Sequence, residues 1–302
     1  MAAGERMLGP KGSVALFASL TLAGCVTVAP LSQPTQDFVA AAGALSQAES
    51  DYFDEIQAAS DAGHQLHAAA DYTARNGTFA QIAAELARRD DFSKAKQIRL
   101  AALKQLQNYA AALSQIQNGG AASWVADDSK AAITDINALA GDAGLSPVNA
   151  KAAGIAQAVV TQLGAAIINN QSAKKIQELA TEAKTPIAAI AAMIAEDDRN
   201  IEGDRFASGL LADQTSDLDS VLHAIYDDPR VDAARRFQAI QAVVGWRKAV
   251  VTKGRTIQAA VNKLEAANDA LSKKQSVDAK ALAQQAAVLA QQALGISPKA
   301  GG

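Results

Sequence analysis

The chain has 302 residues and a formal net charge of −3; 49% of it is hydrophobic, but only 4% is aromatic and 20% charged. Alanine fills 72 positions, nearly half of the apolar total, so the sequence favours helix and lacks the β-branched and aromatic runs that strands need. That composition excludes an all-β sandwich or barrel, aperiodic glycine excludes a collagenous chain, and low net charge excludes a fully disordered one.

At the N-terminus, Arg6 and Lys11 precede the uncharged run from Ser13 to Leu22, which is too short to span a bilayer and has the shape of a secretory apolar region. The run ends in Leu22-Ala23-Gly24-Cys25, and Cys25 is the only cysteine in the sequence. This arrangement resembles the lipobox of bacterial lipoproteins, with an aliphatic residue and two small residues ahead of the cysteine. The resemblance covers the first 25 residues and concerns processing alone. It implies that Leu22, Ala23 and Gly24 are read by the signal peptidase and that cleavage follows Gly24. Cys25 would then carry a covalent diacylglycerol and an N-acyl chain, palmitate among them. One acyl chain holds a protein only marginally, at about 0.8 kcal/mol per buried CH2, whereas several make a durable anchor. Val26 stands where such lipoproteins often carry the aspartate of inner-membrane retention, so the resemblance points to the outer membrane, facing the periplasm. The competing reading is an ordinary secretory peptide whose cysteine falls at the cleavage site by chance. Met7 is a possible alternative start.

Cleavage removes Glu5, Arg6 and Lys11 and leaves 30 acidic and 26 basic residues, a net of −4 with no basic excess to draw nucleic acid. The expected organisation is a signal peptide over 1–24, a flexible lipid-anchored tether over 25–36, a single helical-bundle domain over 37–295 and a flexible tail over 296–302. With its one thiol lipidated, the chain would have no disulfide, and helix packing would carry stability.

The pattern then reads as helix almost throughout. A first helix is expected from Asp37 to Arg75, ending at Asn76-Gly77, and a second from Thr78, with Asp90-Asp91 interrupting or recapping it. Phe92, Ala95, Ile98, Ala102, Leu106, Tyr109, Leu113 and Ile116 step by three and four along a coiled-coil-like seam that Asn118-Gly119-Gly120 closes. A shorter helix over 123–141 leads to Ser146-Pro147, a cap followed by proline at the first helical position. Ile176, Leu179, Ala183, Ile187, Ile190 and Ile194 continue the stepping across a kink at Pro186, with a break expected over 197–203. Leu211, Leu218, Val221, Leu222 and Ile225 extend the apolar face to Asp227-Asp228-Pro229. A helix from Val231 to Lys274 is expected to turn Phe237, Ile240, Val244, Val251, Ile257, Val261, Leu264 and Leu271 inward, and a last one spans Ser276 to Leu294. The fold expected is all-α, an elongated bundle of long, alanine-rich, coiled-coil-like helices, with Leu106, Leu113, Ile190, Ile194, Val244 and Leu264 buried.

Chemistry is sparse. The sequence holds no HExxH, CxxC, GxSxG, P-loop or di-iron ExxH pattern, so no residue is nominated as catalytic and the protein reads as a non-enzyme without a cofactor beyond the lipid on Cys25. Asp61, His64, His67 and Asp71 share a stripe of one helix, which makes His64 and His67 weak metal candidates, but a single helix seldom closes a coordination sphere and the stripe reads as solvated. His223 beside Leu222 and Ile225 reads as a bundle residue, Glu196 with Asp197 and Asp198 as a helix-end surface cluster, and Trp124 and Trp246 as packing aromatics. Residues 152–168 carry no charge, and with 186–195 they are loosely similar to the apolar hairpins of helical pore-forming toxins. Gln157, Thr161 and Gln162 interrupt the stretch, so a buried bundle helix is the simpler reading. Three functions follow: a lipid-anchored envelope protein that is a structural or protein-interaction module with an envelope protein partner, a membrane-active protein inserting 152–168, and a metal- or ligand-binding bundle.

Overall fold

The computed structural model describes residues 34–74, 78–87, 92–118, 123–141, 145, 147–169, 176–202 and 232–296. The described residues are 94% helical and contain no strand. Nine helices are described: α1 (Pro34–Ala74), α2 (Phe79–Ala87), α3 (Ser93–Gln117), α4 (Ser123–Ala140), α5 (Pro147–Asn169), α6 (Ile176–Glu182), α7 (Lys184–Glu202), α8 (Ala233–Ser272) and α9 (Ser276–Gly295). Their contacts fall within one compact unit, Ser32–Gly302.

Local chemistry sets the helix ends. Pro34 and Pro147 each open a helix at its first position, where the missing N–H costs nothing. The helix therefore takes in residues 34–36, which the sequence pattern assigns to the tether. Thr78 and Gln81 cap α2 reciprocally: the Thr78 amide donates to Gln81 Oε1 at 2.7 Å and the Gln81 amide to Thr78 Oγ1 at 3.3 Å. The Asp232 side chain caps α8 by accepting from the Arg235 amide at 2.8 Å. A single turn at Ala183 separates α6 from α7, with Pro186 in the first turn of α7. Its ring would meet the carbonyl of Glu182, and it has no N–H to donate there, which accounts for the break. The helix then runs on through Glu202, past the break expected at 197.

The α8–α9 hairpin turns on Lys274, whose φ is +63°. The Gln275 amide donates to the Ala270 carbonyl at 2.9 Å and the Lys274 amide to that of Leu271 at 3.1 Å, the two bonds of a Schellman closure. Glycine usually takes this left-handed position, because a Cβ there is crowded.

The packing order is a closed ring. Helix α1 lies against α3, α3 against α5, α5 against α7, α7 against α8, and α8 against α1. Helix α9 covers the α8–α1 seam, α4 covers the α3–α5 seam, α6 lies against α8, and α2 rests on α1. Every residue of the α3 seam is buried apart from half-buried Phe92, and so are Leu179, Ala183, Ile187, Ile190 and Ile194. The fully buried residues of α9 are all alanine (Ala279, Ala283, Ala286, Ala290, Ala293), beside half-buried Leu282, Leu289 and Leu294, so its backbone can lie close to α1 and α8. Gly164 lets α5 approach α4 closely, since a Cβ there would stand 2.8 Å from the Ile133 side chain.

Helix α8 corrects the sequence pattern. Val250, Lys253, Ile257, Val261, Leu264 and Leu271 face inward, but Phe237, Ile240 and Val244 are 61%, 40% and 52% exposed. Val244 and Lys253 stand about two and a half turns apart at 3.6 residues per turn, hence on opposite faces. The apolar positions of this long helix thus form two stripes rather than one seam, and only the C-terminal stripe is core. The stretch 203–231, with its apolar positions and His223, lies outside the described residues.

Truncating Leu106 or Ile190 to alanine is expected to lower stability by about 2–5 kcal/mol in urea unfolding, whereas Val244→Ala, at an exposed site, should stay within about 0.5 kcal/mol. Lys274→Gly should raise the midpoint, gaining up to about 1 kcal/mol by relieving the left-handed backbone.

Candidate functional site: a buried ionic cluster

Charged side chains lie inside the ring. Arg99 of α3 is fully buried and grips Asp197 of α7 with two bonds, Nη2 to Oδ1 at 2.6 Å and Nε to Oδ2 at 2.9 Å. Its Nη1 donates to Asn149 Oδ1 of α5 at 3.1 Å and to the Ala95 carbonyl at 3.3 Å. The guanidinium carbon lies 5.6 Å from the centre of the Phe53 ring of α1. Such a fork satisfies a planar cation with bidentate and cation–π contacts together. Glu49 of α1 is buried beside the pair, and its carboxyl is pushed up from 4.5 to about 8. Desolvation is the main cause; the charge of Asp197 adds to it and that of Arg99 opposes it. Burial alone would lower the Arg99 pKa, but the charge and hydrogen bonds of Asp197, with Glu49 and Tyr52, raise it further, so the guanidinium is permanently charged. At neutral pH the cluster is a neutral carboxyl beside a fixed ion pair, joining four helices.

Two more polar links cross the ring. Lys253 of α8 is buried and donates to Glu55 Oε1 of α1 at 2.6 Å, and Glu55 Oε2 is buried with no hydrogen-bond partner among the described residues. The Tyr109 hydroxyl of α3 donates to Asn268 Oδ1 of α8, whose Nδ2 donates to the Ala180 carbonyl of α6 at 2.9 Å. Burial holds the Tyr109 phenol well above the usual tyrosine range.

Asp197 is therefore not part of a surface cluster. Of its neighbours, Glu196 does lie at the surface, 3.4 Å from Lys151, and the side chain of Asp198 lies outside the described residues. His64 is buried rather than solvated, on the same stripe of α1 as buried Ser60 and Ala68, while Asp61 is half-buried and accepts from Gln57 Nε2 at 3.1 Å. The side chains of His67, Asp71 and Trp124 lie outside the described residues, as do Leu22, Ala23, Gly24 and Cys25. No group of three His, Cys, Asp or Glu side chains able to hold a metal ion is found among the described residues. Trp246 is half-buried against the core.

Within the described residues α5 is the one helix long and apolar enough to cross a membrane, and half of that apolar window is buried in the bundle. Its inner face carries Ala153, Ala156, Val160, Leu163 and Ile167, while Gln157 faces outward and donates to Asn137 Oδ1 of α4 at 2.9 Å. Two surface depressions are lined respectively by residues such as Lys184, Thr185, Glu265 and Asp269, and by Ala266, Gln275, Asp278 and Gln285. Neither is lined by Glu49, Arg99 or Asp197. No family model matches the chain, and neither a curated protein nor a solved structure matches it.

Glu49 fixes a pH dependence. Between pH 4.5 and about 8 the folded chain keeps a proton that the unfolded chain has released, so raising the pH favours unfolding. Stability from this group should fall across that window and level off above it; Glu49→Gln should flatten the profile in urea titrations at stepped pH. Asp197→Asn, which leaves the buried guanidinium without its counter-charge, is expected to cost about 3–5 kcal/mol.

Proposed function

We propose that this is a lipid-anchored protein of the bacterial cell envelope acting as a structural or protein-interaction module, held to the outer membrane through Cys25 and facing the periplasm. The observation that carries the reading is the sole cysteine of the chain in register behind Leu22, Ala23 and Gly24. The helical bundle supports it. The charged groups inside it, Arg99, Asp197, Glu49 and Lys253, are engaged with one another and with neighbouring helices, the arrangement of a framework rather than of a substrate cleft. Insertion of residues 152–168 is the second reading. It would require α5 to leave α3, α4 and α7 and to take Gln157, Thr161 and Gln162 into lipid, each an unsatisfied polar group there. The bundle reading needs neither step, and a metal- or ligand-binding role has only His64 and His67 to rest on.

In cells fed labelled palmitate, the wild-type chain should take up label and fractionate with the outer membrane. Cys25→Ala should take up none and accumulate as the unprocessed precursor. Equal labelling of both, or a soluble wild-type protein, would overturn the anchor.

A further inference from the structure

Two carboxyl groups meet one guanidinium inside the ring. Asp197 takes the fork of Arg99 through Nη2 and Nε, while Asn149 and the Ala95 carbonyl take Nη1, so the cation is committed before Glu49 is reached. Glu49 is 2% exposed, and among the described residues no hydrogen bond reaches its carboxyl. The charged groups that act on it are Asp197 of α7, which repels an ionised carboxylate there, and Arg99 of α3, which attracts one. Tyr52, on the same helix as Glu49, acts on the guanidinium. Of the other helices packed on α1, α8 spends its buried Lys253 on Glu55, and α9 meets Asp37 through uncharged Gln284. The one ionisable side chain of α2, Glu85, lies outside the described residues. The two ends of α7 are held differently. Just ahead of its start, buried Asn268 of α8 holds the Ala180 carbonyl at 2.9 Å, and Lys184 adds a pair with Asp269 at 3.0 Å. Its other end relies on Asp197, the last buried side chain described on the helix, and on the exposed pair of Glu196 with Lys151, which water screens.

We infer that the Glu49–Arg99–Asp197 cluster is a proton-operated latch on the C-terminal half of α7: while Glu49 keeps its proton the guanidinium belongs to Asp197, and when the proton leaves, Glu49 competes for the same cation and the last turns of α7 come away from the ring. One guanidinium neutralises one carboxylate, and a second carboxylate without a counter-charge is costly in an apolar interior. Opening relieves that cost by letting water reach the carboxylates. It falls to α7 because α1 is clasped by α3, α8 and α9, whereas Asp197 is the last internal hold on α7. The sign follows from burial, which pushes Glu49 up to about 8 in the closed cluster. An open, solvated Glu49 releases its proton at the ordinary 4.5, so opening grows more favourable from there upward and levels off above about 8. The latch works within the bundle and does not depend on lipidation of Cys25.

The test is hydrogen exchange of the full chain at stepped pH, read by mass spectrometry and corrected for the intrinsic rate of each amide. Protection over residues 190–202 should fall about tenfold for each pH unit inside the window between 4.5 and 8, and level off above it. Peptides over 257–271 of α8, which open only with the whole bundle, should stay more protected at every pH. Glu49→Gln keeps the shape of the protonated acid and cannot ionise, so it should hold 190–202 at the low-pH protection throughout. Glu49→Met, which fills the same space with no proton to lose, should do the same and decides the matter if the glutamine variant fails to fold. Protection over 190–202 that does not vary with pH in the wild type, or that varies equally in the variants, would overturn the inference. So would protection over 190–202 equal to that over 257–271, which would show that α7 opens only when the bundle unfolds.

Discussion

A guanidinium taken out of water dominates the interior of this bundle. Arg99 has to find an acceptor for nearly every N–H, and the acceptors come from different helices: Asp197 of α7, Asn149 of α5 and the Ala95 carbonyl of its own turn, with the Phe53 ring of α1 alongside. Alanine supplies about half of the buried apolar residues, and its small repeated steps discriminate poorly between one register and the next. A fork that closes on one carboxylate in one position does discriminate, since sliding any partner by a turn would strand a buried charge. The Tyr109–Asn268–Ala180 chain and the Lys253–Glu55 pair act on the same principle elsewhere in the ring. Replacing such ions with well-packed apolar residues is often neutral or better for stability. Their contribution is therefore to the specificity of register.

The helical architecture is legible in the sequence because its signals are local. Alanine content, the three-and-four stepping of Ala95 to Ile116, the Ser146-Pro147 opening and the α8–α9 boundary follow from propensity and capping, and the helices stand within a few residues of those signals. The ionic cluster is a different matter, because the residues that meet in it are far apart in sequence: Arg99 and Asp197 are 98 residues distant. A signal was nevertheless present. Arg99 sits between Ala95 and Ala102, Asp197 follows Met193 and Ile194, and Lys253 lies between Val250 and Ile257, each a charge on an apolar stripe. Reading Asp197 by its neighbours Glu196 and Asp198 hid it, since adjacent residues on a helix point in different directions.

The opposite error occurs at α8. There the apolar stepping predicts Phe237, Ile240 and Val244 to face inward, and the structure leaves all three exposed. Val250, Ile257 and Leu264 define the inner face where α1, α6, α7 and α9 surround the helix, and that face does not continue through Val244. Periodicity identifies stripes, and only the neighbours decide which stripe is covered.

The ring also has a history along the chain. Its closing contacts join the first helix to the last two: Glu55 to Lys253 across 198 residues, Asp37 to Gln284 across 247. During synthesis α1 is complete long before α8 or α9 exists, so it waits with one flank open until the C-terminal third is available. High contact order of this kind slows a fold, because the entropy of the long loop is lost before the closing contacts form. Until they are made, Glu55 lacks the Lys253 ammonium, and the flank of α1 that α8 and α9 cover in the finished bundle stays open, the stretch of synthesis in which the chain is most prone to premature association.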